Sequence, residues 1–177
     1  MSIARPVPVA RRYESLARTI AHQQLAGRAA ATIWSRVRAT VDGEFTPAAV
    51  QRLDPAVLRE AGLSGAKVLA VLDLTARCID GRLRLDRLGP MSDAGVVDML
   101  SSVRGIGPWS AQMFLILELG RLDVWPTGDL GVRSGYARAF DLRSVPTPGH
   151  LEELGERFRP YRSVAAWYCW RAADDPE

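Results

Sequence analysis

Lysine, histidine and cysteine are scarce in this 177-residue chain, and each scarcity excludes a class of chemistry. Lys67 is the only lysine, so Schiff-base catalysis would have a single side-chain amine to draw on. His22 and His150 stand far apart, as do Cys78 and Cys169, and none has the neighbours of a zinc site or an iron–sulfur cluster. Both cysteines read as small buried residues. No apolar run approaches the ~20 residues that span a bilayer, because Met113-Phe-Leu-Ile-Leu stops at Glu118. Met1-Ser-Ile-Ala-Arg-Pro6 lacks a signal-like apolar segment, which favours a cytoplasmic location. Strand patterns are nearly absent, and internal repeats and Gly/Ser- or Pro-rich linkers are missing.

The remaining composition is that of a soluble globular protein, with 47% hydrophobic and 24% charged residues. A formal net charge of +3 does not by itself mark a nucleic-acid binder. Helical punctuation is abundant. Leu16 and Ile20 share a face after Ser15, and Ala29 to Val37 continues at helical spacing beyond a break at His22-Gln-Gln-Leu-Ala-Gly27. Thr46-Pro47, Asp54-Pro55 and Thr147-Pro148 each read as an N-cap followed by a first-turn proline. Lys67 to Ile79 is expected to turn Val68, Leu72 and Ile79 inward and Arg77 outward. Further helices are expected from Met91-Ser-Asp93, over Pro108 to Leu119 with Phe114, Leu115 and Leu117 as core, over Leu130 to Phe140, over Leu151 to Phe158, and over Ser163 to Trp170. The pattern predicts an all-α protein of about nine or ten helices.

Two stretches carry chemistry. Ser101-Ser-Val-Arg-Gly-Ile-Gly-Pro-Trp-Ser-Ala111 sets Gly105 and Gly107 around Ile106, directly before a proline able to open a helix. The glycines allow a tight hairpin with Ile106 tucked between two helices. Amides around Gly107 and Trp109 could then hold a phosphate without reading sequence. A plain helix–turn–helix corner is the bland alternative. The second stretch, Trp125-Pro-Thr-Gly-Asp129-Leu-Gly131, delivers one carboxylate to a helix start. Most such residues cap and do nothing more.

Together with three further segments, these stretches resemble the helix–hairpin–helix (HhH-GPD) DNA glycosylases, and within them the AlkA-like 3-methyladenine DNA glycosylase II branch. The segments are Ile20-Ala-His-Gln-Gln-Leu-Ala-Gly-Arg-Ala-Ala-Ala-Thr-Ile33, Leu58-Arg-Glu-Ala-Gly-Leu-Ser-Gly-Ala-Lys67 and Arg159-Pro-Tyr-Arg-Ser-Val-Ala-Ala-Trp167. The likeness runs roughly from Tyr13 to Trp170, without the β-rich N-terminal domain of some members. It implies two helical lobes with the active site in the cleft between them: a central lobe at about 25–135 with the hairpin at 101–111, and a second from 1–24 plus 136–177.

The resemblance also implies roles. Asp129 corresponds to the catalytic acid, which would stabilise positive charge on the sugar as the N-glycosidic bond breaks. Bifunctional relatives carry a lysine where this chain has Trp109, so a monofunctional enzyme that leaves an intact abasic site is expected. An alkylated purine of the 3-methyladenine or 7-methylguanine type is cationic and would favour electron-rich rings. Trp109, Tyr161 and Met113 match the base pocket, with Trp125 added for its proximity to Asp129; Trp34, Trp167 and Trp170 read mainly as core. Double-stranded DNA carrying a damaged base is the implied partner of a monomeric protein, acting on the nucleoid of a bacterial cell. Gly105, Ile106, Gly107, Trp109, Ser110, Arg104, Arg133 and Arg162 are its implied contacts. Gln24 and Leu25 lie where the family places the wedge that fills the gap left by the flipped nucleotide. Carbonyls of Ser101, Val103 and Ile106 could bind a structural Na+ or K+; no zinc or iron–sulfur cofactor is expected. A non-catalytic DNA-binding module and a glycosylase for oxidised, deaminated or mismatched bases are the alternatives.

Overall fold

The computed structural model describes residues 6–25 and 27–174, and every described element is helical. Met1 to Arg5, within the expected second lobe, and Ala26, within the glutamine-containing loop, lie outside them. The helices are α1 (Val9–His22), α2 (Gly27–Arg38), α3 (Pro47–Gln51), α4 (Pro55–Glu60), α5 (Gly65–Ile79), α6 (Asp93–Ser101), α7 (Pro108–Leu117), α8 (Leu130–Ala139), α9 (Pro148–Gly155) and α10 (Arg162–Asp174). Two 3-10 turns, Leu85–Arg87 and Glu156–Phe158, complete the order. No described helix is long and apolar enough to cross a membrane.

Local chemistry accounts for most helix starts. The hydroxyls of Thr46, Ser64, Ser92 and Thr147 and the carboxylate of Asp54 accept first-turn amides, each satisfying a donor that the helix itself leaves without an acceptor. Pro47, Pro55 and Pro148 follow their caps in the first turn, where a missing N–H costs nothing.

Packing groups the chain into two units, 7–111 and 112–177 with 1–6, where the sequence suggested borders near 24/25 and 135/136. In the first unit α1 packs on α2 and α5. Leu16 and Ile20 of α1, Val37 of α2, Leu58 of α4 and Leu74 of α5 are completely or almost completely buried. Each such aliphatic side chain contributes about 1.5–3 kcal/mol on leaving water. Tyr13 donates to the Thr75 hydroxyl at 2.6 Å, and Thr75 donates in turn to the Val71 carbonyl at 2.7 Å. Burial pushes the Tyr13 hydroxyl well above its usual range. Helix α5 is rotated from the expected face: Val68, Ala70, Val71 and Leu74 are buried, Leu72 is half-buried, and Ile79 in the last turn is 45% exposed. Arg77 reaches back to pair with Asp73 at 2.8 Å.

The second unit is built on α8 against α10. Trp125, Val132, Tyr136, Leu151, Ala166 and Cys169 form its core, with Phe158 and Trp170 packed against it. Glycines set the approach: a Cβ at Gly135 would fall 1.7 Å from the Cys169 carbonyl oxygen. Gly131, one turn earlier, faces Trp170, whose Cδ1 would lie 3.0 Å from an added Cβ. Phe114 and Leu115 are core as expected, whereas Leu117, at the end of α7, is 38% exposed. Cys169 is buried and Cys78 half-buried; burial pushes their thiols up to about 11 and about 12.

Candidate active site

In the first unit, the chain between α6 and α7 forms the hairpin. Val103 donates to the Leu100 carbonyl at 3.0 Å and Ile106 to the Val103 carbonyl at 3.1 Å, and both side chains are buried. Gly105 has φ +78°, and a Cβ there would meet the Ala70 Cβ at 3.2 Å, so this position needs glycine twice over. Gly107 differs from the expectation. Its φ lies outside the left-handed region and an added Cβ would touch nothing within 4 Å, so glycine there leaves the surface bare rather than freeing the backbone. Beyond it Pro108 opens α7, and the first-turn amides of Trp109 and Ser110 sit at the positive end of the helix dipole. This is the geometry of an anion site. The Ser110 side chain is buried, leaving only its main-chain amide for a phosphate. Arg104 is exposed, its own amide donating to Asp73 at 2.8 Å.

The chain leaving α1 belongs to the same unit. Gln24 is exposed with φ 56°, a left-handed conformation costly for a side-chain-bearing residue, and Leu25 is 39% exposed. The Gln23 side-chain amide donates to the Gly105 carbonyl at 2.9 Å. Lys67, from α5, donates to the carbonyls of Ala21 and Gln23 at 2.8 and 2.7 Å. Burial lowers the pKa of this amine.

In the second unit Asp129 is the N-cap of α8. Its Oδ1 accepts the Val132 amide at 2.8 Å and the Trp170 indole N–H at 2.9 Å. The Asp129 amide donates to the Pro126 carbonyl at 2.9 Å, anchoring the turn that delivers it. The carboxylate is thus half-buried and held by donors from two helices. Sequence reasoning assigned Trp170 to the core and missed this bond. The available signal was the four-residue spacing of Gly131 and Gly135, which calls for a close helix partner.

Two expectations are corrected. Trp125 belongs to the core rather than to an open base pocket: it is 4% exposed, donates its indole N–H to the Leu151 carbonyl at 2.8 Å, and packs edge-on against Tyr136 and tilted against Phe158. Arg162 is not available to a phosphate. It is 9% exposed and bound by Asp123 at 2.7 Å, with Glu152, Glu156 and the Asp123 carbonyl as further partners. Burial alone would raise the Asp123 carboxyl, but the hydrogen bonds and charge of Arg162, with Arg159, outweigh it and hold the pKa down. Arg133 is half-buried and donates to the Pro146 carbonyl at 2.7 Å, which ties its Nε to the fold.

Trp109 is 47% exposed and Met113 half-buried. Tyr161, 57% exposed, lines a cavity of about 450 Å3 with Phe140, Phe158, Val164 and Tyr168; Asp129 is not on its wall. Trp34 and Trp167 are half-buried, Trp34 packing edge-on against Phe45. No cluster of three or more His, Cys, Asp or Glu side chains able to hold a metal occurs among the described residues. For a monovalent cation the donors would be main-chain carbonyls. That of Val103 already accepts the Ile106 amide, which a carbonyl with two lone pairs can share.

Comparison with known proteins bears on the whole of this arrangement. The model of the HhH-GPD superfamily of base excision DNA repair proteins matches residues 17–160. The chain is 32% identical to DNA-3-methyladenine glycosylase 1 of Schizosaccharomyces pombe, over 91% of this chain and 72% of the relative. A solved DNA-3-methyladenine glycosidase from Bacillus halodurans superposes with a TM-score of 0.88 at 32% identity, covering 97% of this chain and 79% of that one. The Schizosaccharomyces pombe 3-methyladenine DNA glycosylase, solved in complex with abasic DNA, superposes with a TM-score of 0.80 at 32% identity, covering 90% and 79%. The chain belongs to the HhH-GPD superfamily of base excision DNA repair proteins.

Proposed function

We propose that the chain is a monofunctional DNA glycosylase that removes alkylated purines from duplex DNA and leaves an abasic site. The observation that carries this reading is Asp129, fixed at the N-terminus of α8 by the Val132 amide and the Trp170 indole in a chain that also carries the hairpin. Duplex DNA as partner rests on the hairpin and on the abasic-DNA complex of the fission-yeast relative.

The hairpin amides take a backbone phosphate, and the exposed Leu25 is suited to fill the space left by an extruded nucleotide. The C1′–N bond then breaks, its electron pair leaving with the base. A cationic 3-methyladenine or 7-methylguanine departs neutral, so no general acid is required. Positive charge builds on the sugar, and the Asp129 carboxylate stabilises it electrostatically. Water bonds to C1′, and its proton passes to Asp129 or to solvent. No amine enters the scheme: the Lys67 ammonium is committed to the Ala21 and Gln23 carbonyls, and Trp109 stands where a lyase would hold lysine. By the same resemblance, the hairpin carbonyls of Ser101, Val103 and Ile106 are assigned to a structural Na+ or K+.

Asp129→Asn tests the assignment. Its shape preserves the α8 cap, so release of methylated purine should fall by on the order of 10²–10³ while DNA binding persists. Unchanged release would remove Asp129 from the chemistry and leave a DNA-binding module as the better reading.

A further inference from the structure

The hairpin and the loop after α1 are far apart in sequence, yet one face of α5 holds both. Its first turn supplies Lys67, whose Nζ donates to the carbonyls of Ala21 and Gln23 at 2.8 and 2.7 Å. Its second turn supplies Ala70, which lies against Gly105. Asp73 follows, accepting the Arg104 amide at 2.8 Å while paired to Arg77. Burial by itself would raise the Asp73 carboxyl, but the Arg104 amide and Arg77 outweigh it and lower its pKa. A direct strut closes the arrangement, the Gln23 side chain donating to the Gly105 carbonyl at 2.9 Å and reaching the Ser110 hydroxyl at 3.4 Å.

We infer that α5 sets the register between the phosphate grip and the wedge, with Lys67 as the positioning residue and Gln23 as the strut. The inference rests on the glycosylase reading and on Gln24-Leu25 being the wedge. Physically, carbonyls at the end of a helix lack intrahelical donors and carry the negative end of its dipole. An ammonium gathers two of them at once and so dictates how the chain leaves α1. That exit drives Gln24 into its left-handed conformation and keeps Leu25 in solvent at a fixed offset from the hairpin. Without the ammonium, Gln24 relaxes toward an ordinary backbone conformation and Leu25 loses its placement. The grip itself, built from α6 and α7, is unchanged. The single lysine of the chain thus serves nucleotide extrusion rather than covalent chemistry.

The test compares two DNA substrates carrying the same 7-methylguanine, one fully paired and one in a single-nucleotide bulge where the lesion is already unstacked. Single-turnover base release is measured for the wild type, Lys67→Met, Lys67→Arg and Gln23→Leu, with binding to undamaged duplex and thermal unfolding alongside. Lys67→Met and Gln23→Leu should each slow release from the paired substrate about tenfold, and from the bulge less than about twofold, as expected for losing a hydrogen bond that acts only in nucleotide extrusion. Lys67→Arg, which keeps a cationic donor, should retain most of the rate, and affinity for undamaged duplex should not change. Gln23→Leu leaves the Lys67 contacts to main-chain carbonyls in place, so it carries the test even where Lys67→Met lowers stability. Equal losses on both substrates, or no loss on the paired one, would overturn the inference. A wild-type protein that releases neither 7-methylguanine from these substrates nor 3-methyladenine from a methylated duplex would overturn the glycosylase reading itself, and this inference with it.

Discussion

At Asp129 the Val132 amide and the Trp170 indole both donate to Oδ1, so the carboxylate is held against rotation from two sides. One donor comes with the helix that the residue caps; the other arrives from α10, 41 residues along the chain. Trp170→Phe removes only the second, keeping the ring and its packing against the core. A hydrogen bond to a charged group contributes about 1.5–3 kcal/mol, so kcat should fall about tenfold or more while KM stays within about twofold. Steady-state release from a methylated duplex checks this, and an unchanged kcat would show that Asp129 is placed without the Trp170 indole. The sequence alone could not rank Trp125 above or below Trp170 on physical grounds. Proximity along the chain favoured Trp125, but its indole is spent on the Leu151 carbonyl. Which tryptophan meets an acid depends on how α8 and α10 cross, and that is a tertiary fact.

At the scale of elements, the crossing of α8 and α10 depends on two glycines. An added Cβ at Gly135 would strike main-chain atoms of Cys169 at 1.7 and 2.4 Å, which no rotamer change relieves. Gly135→Ala should therefore destabilise the protein by about 3 kcal/mol or more, read as a lower denaturation midpoint. At Gly131 the contacts are softer, 3.0 Å to Trp170 Cδ1 and 3.1 Å to Asp129 Oδ1. Helix starts are legible in the sequence because caps are local: Thr46, Asp54 and Thr147 accept first-turn amides in the manner their spacing suggests. Helix faces are less so. Ile79 and Leu117 fit an apolar stripe at the ends of α5 and α7, but the core stops before the last turn of α5, and in α7 it takes Phe114, Leu115 and Ile116 and leaves Leu117 on the outer side, so both are exposed.

For the whole molecule, a net charge of +3 leaves DNA affinity to a few placed donors rather than to bulk attraction. Arg104 and Arg162 look equivalent as sequence, since an arginine beside a motif can serve a phosphate or a carboxylate. The structure separates them: Arg104 is exposed on the hairpin, while Arg162 is buried against Asp123. Arg104→Ala should weaken duplex binding and flatten the slope of log affinity against log salt by about 0.9. Arg162→Ala should leave that slope alone and lower stability by about 2 kcal/mol, because Asp123 loses its main partner. Salt titrations and chemical denaturation of the two variants distinguish these outcomes. The all-helical class, the hairpin and the acid are readable from composition, spacing and resemblance. The roles of Lys67 and Gln23 are not, because their partners are main-chain carbonyls that carry no sequence signature.

Base excision without strand cleavage is tested by base release from a duplex with one 7-methylguanine, analysed with and without alkali. Free 7-methylguanine, intact strands before alkali, and cleavage at the lesion only after it are expected. Strand breaks without alkali, or a covalent protein–DNA adduct trapped in high yield by borohydride, would contradict it.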